Sequence, residues 1–320
     1  MEAFMKKVLK LIGKILLIVL IAALGIVLIV WGGLNVSKFF LYSYYYAAKT
    51  NVCTNPGLND GFVCQGIAVS EKDERIIVSG YMKDKSESRL YVTDLKSNSH
   101  YVKLRRNGEV FTGHAGGVAI TGDTIYIASG KKIYTVSLPD VLAAKDGDII
   151  EIGDGTKVNN SASFVYTDEN YLYVGEFHDG GAYVTNHPYE TAEGMHYAII
   201  SKYPINDLSK PEKIYSVRNK VQGACFTPDG KVVFSTSYGL SDSVYYVYNE
   251  ADAVDSGLTL DGAPVYLLDK CVKEIKGPAM SEDLDFYNGK VITLSESASN
   301  KYIFGKFFFA TKIIALDLDK

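Results

Sequence analysis

Gly117-Val118-Ala119-Ile120-Thr121-Gly122-Asp123-Thr124-Ile125-Tyr126-Ile127-Ala128 is two short apolar-alternating runs joined by a Gly-Asp step. Side chains of a strand point to opposite faces with period two, so such a pair reads as a β-hairpin. Four other stretches overlay it. They are Gly66-Ile67-Ala68-Val69 leading into Arg75-Ile76-Ile77-Val78-Ser79, and Ser163-Phe164-Val165-Tyr166 leading into Tyr171-Leu172-Tyr173-Val174-Gly175. Further on come Gly223-Ala224-Cys225-Phe226 with Lys231-Val232-Val233-Phe234-Ser235, and Asp283-Leu284-Asp285-Phe286 with Lys290-Val291-Ile292-Thr293-Leu294. The five first residues, 66, 117, 163, 223 and 283, are spaced 51, 46, 60 and 60 apart. A period of that size marks one supersecondary unit per repeat.

Each hairpin is followed by a third β-type run and the first four by a fourth. The fourth runs read as His100–Leu104, Asp148–Ile152, Glu212–Val217 and Val265–Leu268. Four antiparallel strands per repeat make a propeller blade. The expectation is an all-β propeller of five blades, or six if the insertions conceal another. The last repeat stops after its third strand, Thr311–Leu318, so ring closure needs a strand from within Phe40–Val63. The generic signature, Gly-φ-x-φ then turn then φ-φ-φ, resembles the broad superfamily of NHL-repeat, quinoprotein-like and gluconolactonase/regucalcin-like propellers. The gluconolactonase-like branch implies a central divalent metal held by acidic and amide side chains, but no set of positions here matches that constellation.

Ahead of the repeats, Ile15 to Leu34 are twenty residues without a charge, long enough to span a hydrocarbon core as a helix. Lys6, Lys7, Lys10 and Lys14 precede the run and only Lys38 follows closely, which by the positive-inside rule puts the N-terminus in the cytoplasm. The run is longer than a signal-peptide core and has no A-x-A-like exit, so an uncleaved signal-anchor is expected rather than a cleaved leader. The expected organisation is a basic cytoplasmic N-terminus (1–14), a single-pass span in the bilayer (15–34), an extracytoplasmic stalk (35–60) and the propeller (61–320). Phe39, Phe40, Tyr42, Tyr44, Tyr45 and Tyr46 would seat the stalk at the headgroups or pack under the propeller. A net charge of −4 and no Lys/Arg stripe beyond the first residues argue against nucleic acid.

In an antiparallel hairpin, the start of the first strand and the end of the second face one mouth of the ring, the default binding site. Starts supply Gln65, His114, Gln222, Glu282 and Asp283; ends supply Glu176, His178, Ser237, Tyr238 and Glu296. A long loop of the third repeat, Phe177 to His196, opens there as a candidate lid. Glu176, Glu282, Asp283 and Glu296 are candidate Ca²⁺ ligands, because a hard cation takes several carboxylate oxygens. His114, His178, His187 and His196 lack helical ligand spacing and point less to a transition metal. No nucleophile elbow, H-E-x-x-H, Walker or dinucleotide motif occurs, so no catalytic residue is assigned.

Four cysteines outside the membrane permit disulfides. Cys53 and Cys64 flank turn residues and are expected to pair. Cys225 and Cys271, three strand steps apart, are too distant. The leading expectation is a membrane-anchored module that binds a protein or glycan partner through one face. The alternatives are a metal-dependent hydrolase or lyase acting on a lactone, ester or polysaccharide, and an envelope scaffold using the Tyr-rich run Val244–Tyr248.

Overall fold

The structure is a computed structural model describing residues 1–302, 304–308 and 310–320. Two compact units are present, Met1–Ser43 and Tyr44–Lys320. The first is a helix, Glu2–Leu41, which contains the whole uncharged run and is long and apolar enough to cross a membrane. Proline is missing from it, and Leu, Ile and Val dominate, so nothing interrupts the i→i−4 hydrogen bonds that an apolar environment demands.

The second unit is a five-bladed β-propeller. From the centre outward, blade 1 holds Phe62–Ser70, Arg75–Met82, Arg89–Asp94 and Ser99–Arg106; blade 2 holds Gly117–Thr121, Thr124–Ser129, Lys132–Ser137 and Thr156–Lys157. Blade 3 holds Phe164–Thr167, Tyr171–Gly175, Ala198–Pro204 and Lys213–Val217; blade 4 holds Val221–Phe226, Lys231–Thr236, Ser243–Asn249 and Lys273–Gly277. Blade 5 holds Ser281–Tyr287, Lys290–Ser295, Lys312–Leu316 and, outermost, Lys49–Thr54. The strand before the first repeat thus closes the ring, running antiparallel to the last strand of the chain with Lys49 opposite Leu316 and Thr54 opposite Lys312. Apolar side chains between neighbouring blades form the core. Ile77, Val92, Val118 and Ile127 pack between blades 1 and 2, while Ile67, Val78, Ile292 and Ile313 pack between blades 5 and 1.

Two runs expected as fourth strands of their own blades belong to the neighbour instead. Asp148–Glu151 runs parallel to the outer strand of blade 1, and Ala263–Leu267 runs parallel to the outer strand of blade 3. The reason is packing. After blade 2's third strand, Ser137 caps a short helix, Leu138–Ala143, whose Leu138 and Val141 enter the core between blades 1 and 2 and turn the chain back. In blade 4's excursion, Ala263 and Val265 join Ile199 and Ile214 of blade 3.

Three further expectations are corrected. No stalk extends to residue 60: Lys49–Thr54 is propeller, and Tyr45 is buried with its ring stacked on Tyr245, centroids 6.3 Å apart. Cys53 and Cys64 are free thiols, as are Cys225 and Cys271. Cys64 Sγ donates to the Ser295 carbonyl and accepts from the Asn55 amide, while Cys53 lies in the outermost strand of blade 5, its thiol pushed up to about 11 by burial. The Val244–Tyr248 run offers no open aromatic face, since Tyr245, Val247 and Tyr248 are buried and Arg218 covers the Tyr246 ring at 3.6 Å.

Candidate functional site

The repeat explains both the axis of the ring and its mouth, through two adjacent positions. The first residue of each hairpin packs the axis, where the inner strands meet. A Cβ on Gly66 would lie 2.6 Å from the Val118 nitrogen, one on Gly117 2.6 Å from the Phe164 Cα, and one on Gly223 2.4 Å from the Asp283 Cα. Real Cβ atoms do not come so close to backbone, so glycine at these positions is a requirement of close strand approach. In blade 5 the equivalent residue is Asp283. Its Oδ2 accepts from the amides of Ile67 and Val118, both at 3.4 Å, and ties blade 5 to blades 1 and 2.

The residue just before each of these faces the mouth. Gln65, Gly116, Ala162, Gln222 and Glu282 all line one cavity of about 720 Å³. In blades 1, 4 and 5 the strand register shifts at this point, between Cys64 and Gly66, Val221 and Gly223, and Ser281 and Leu284. A β-bulge inserts an extra residue and re-aims its side chain, and here it presents Gln65, Gln222 and Glu282 to the cavity. At Gly116 a Cβ would lie 2.3 Å from the Ser163 carbonyl oxygen, so close strand approach requires glycine there too.

The lining is uneven. On the side of blades 5 and 1 stand Glu282, Glu296, Lys301, Tyr302, Gln65 and Tyr81. Glu296 accepts from the Gln65 amide at 3.0 Å. Burial raises its carboxyl to about 7, and burial together with the nearby Glu296 and Asp283 carboxyls also raises Glu282 well above the usual carboxylate range. Lys301 donates to the Tyr81 hydroxyl and lies over the Tyr81 and Tyr302 rings. His114 stacks on Tyr81 at 4.8 Å, its imidazole held below its usual range by burial and by Lys301. Opposite, Phe177, Tyr183 and Tyr238 form an aromatic wall, with Phe177 edge-on to Tyr183 at 5.5 Å.

Of the ten mouth residues expected from sequence, Gln65, His114, Gln222, Ser237, Tyr238, Glu282 and Glu296 line the cavity. Glu176, His178 and Asp283 do not. Glu176 is buried and accepts from Ser161 N at 3.1 Å, His187 Nδ1 at 2.7 Å and Ile199 N at 3.3 Å, so it staples the long loop to blade 3. His178 receives the Thr185 amide and stacks on Tyr197. The four carboxylates expected to share Ca²⁺ are therefore spread over three environments, and no group of three His, Cys, Asp or Glu side chains fit to hold a metal exists among the described residues.

The loop expected as a lid has two parts. Ala182 to Thr185 form cavity wall. Beyond it, Tyr189–Thr191 and Gly194–His196 make a hairpin whose Glu193 pairs with Arg218 and accepts from Tyr248 and the Cys271 amide, which pins it against blade 4. Sequence reasoning missed Tyr81, Phe177, Tyr183, Lys301 and Tyr302. Tyr81 ends a second strand and was legible by the same rule; the others sit on loops whose course only the fold decides.

No family model and no curated protein sequence matches this chain. Its likenesses are to solved propellers. A PQQ-bound aldose sugar dehydrogenase from Streptomyces coelicolor shares 15% identity over 77% of this chain and 76% of its own, with a TM-score of 0.44. BamB from Moraxella catarrhalis shares 8% over 80% and 85%, TM-score 0.34, and the WD40 propeller domain of Doa1 shares 10% over 77% and 79%, TM-score 0.40. At such identities the resemblance extends to the fold alone.

Proposed function

We propose that this protein is a membrane-anchored, extracytoplasmic propeller that binds a small ligand in the cavity at one mouth of the ring. The observation that carries the reading is the cavity itself, where five equivalent repeat positions converge on about 720 Å³ lined by aromatic rings and a few polar groups. Concave sites of this kind, mostly preformed with a handful of placed polar groups, are how globular proteins hold small molecules. The lysines ahead of the apolar helix support a cytoplasmic N-terminus, and therefore a propeller on the outer side.

Two measurements test this. Protease protection of tags at the two ends of the chain in sealed vesicles is expected to shield the N-terminal tag and expose the C-terminal one. A thermal-shift screen of small molecules is expected to find stabilisers whose effect is lost in Ala182→Trp, which fills the cavity from an exposed wall position. Stabilisers that act equally on A182W would place binding elsewhere.

A further inference from the structure

Glu282 is the one lining carboxyl that the fold leaves unanswered. It is 3% exposed, it borders the cavity, and it makes no hydrogen bond or ion pair with the described residues. Its oxygens are not sealed from the cavity, so this mostly buried acid without a protein partner stands open to one arriving from outside. The other charged groups facing it are Glu296, Asp283 and Lys301. Asp283 is turned to the axis, where it accepts from Ile67 and Val118. His114 is neutral at physiological pH, and Tyr81 and Tyr302 are neutral phenols. Lys220 lies over Tyr238 in a neighbouring groove and does not line the cavity. Burial and mutual repulsion disfavour the two carboxylates, so ionising both against Lys301 alone requires one further positive charge in the cavity.

Resting on the ligand-binding reading above, we infer that the cavity takes a small organic monocation, an ammonium-bearing molecule whose charge sits against Glu282 and Glu296 and whose apolar body lies on Phe177, Tyr183 and Tyr238. A cation completes the charge balance, which an uncharged polyol leaves open. Aromatic faces attract ammonium groups through their quadrupole, most strongly where water is excluded. Lys301 already lies over the rings of Tyr81 and Tyr302, and Lys220 over that of Tyr238, so Phe177 and Tyr183 offer the aromatic faces to the ligand's charge. Because burial raises both carboxyls, Glu296 to about 7, a bound cation that favours their ionised forms expels a proton, and affinity rises with pH through about 7.

The test is calorimetric titration of the full chain in detergent with choline, its uncharged isostere 3,3-dimethylbutan-1-ol, and glucose, in buffers of differing ionisation enthalpy. Choline is expected to bind at least about tenfold more tightly than the isostere, with proton release and with affinity increasing between about pH 6 and 8. Glu282→Gln is expected to weaken choline by about tenfold and abolish proton release, and Glu296→Gln to do the same if the first variant fails to fold. Tyr183→Ala should weaken choline while leaving proton release intact. Choline that fails to bind, or binds unchanged to a folded E282Q, overturns the inference. Isostere or glucose binding as well as choline, blocked by A182W, also overturns it while leaving the cavity a ligand site. Stabilisers from the screen that ignore A182W defeat the ligand-site reading itself.

Discussion

Glu282 and Asp283 are neighbours in one strand, both acidic and both buried, and they have opposite fates. Asp283 turns inward, and one of its oxygens takes amides from two other blades. Its second oxygen, Oδ1, lies against Gly223 without a partner among the described residues. Glu282 turns to the cavity and takes no hydrogen bond from the described residues. The bulge between Ser281 and Leu284 separates them, since it lets two consecutive side chains leave the ladder in different directions. A buried acid that is hydrogen-bonded by backbone builds the ring, and one that faces an open cavity is a place for chemistry.

The contrast can be broken most forcefully at the axis. Gly223→Ala places a methyl group within 2.4 Å of the Asp283 Cα and is expected to destabilise the propeller by about 3 kcal/mol, read as a drop in thermal midpoint. Next in size, Asp283→Ala strips the Ile67 and Val118 amides of their acceptor and is expected to remove about 2 kcal/mol, whereas Glu282→Gln should leave stability unchanged or slightly raised. Equal losses in D283A and E282Q would erase the distinction between the two acids.

A third contrast concerns pH. Asp285, which accepts from Val69 and Phe286, has its carboxyl raised by burial to about 7. The folded state therefore holds a proton that the unfolded chain has lost, so its contribution to stability is full below the ordinary carboxylate range and declines as pH rises from about 4 to about 7. Wild type should lose stability relative to Asp285→Asn over that interval, measured as the difference in thermal midpoint. A difference that grows in the other direction would mean that the two amides outweigh burial.

Much of this was legible before any coordinates. Period-two runs and the Gly-Asp, Asn-Gly and Asp-Gly turns are local chemistry, and five copies of them sufficed for a five-bladed ring with a missing strand to be supplied from upstream. The mouth rule recovered Gln65, His114, Gln222, Ser237, Tyr238, Glu282 and Glu296 because hairpin geometry places strand starts and second-strand ends together. It misplaced Glu176, His178 and Asp283, because it specifies an end of the sheet and not the direction in which a side chain points. It also misassigned Asp148–Glu151 and Ala263–Leu267, whose local pattern is strand whichever edge receives them.

By itself, then, the sequence determined what neighbours along the chain can settle: strands, turns, repeat number, the apolar helix and the small residues of the axis. The tertiary structure alone decided which blade each outer strand joins, that Cys53 and Cys64 stay apart, and that Phe177, Tyr183 and Tyr238 face Glu282 and Glu296 across one cavity. Those outcomes depend on packing between segments distant in the chain, as between Val102 and Asp148 or Ile214 and Val265, and no local pattern carries that information.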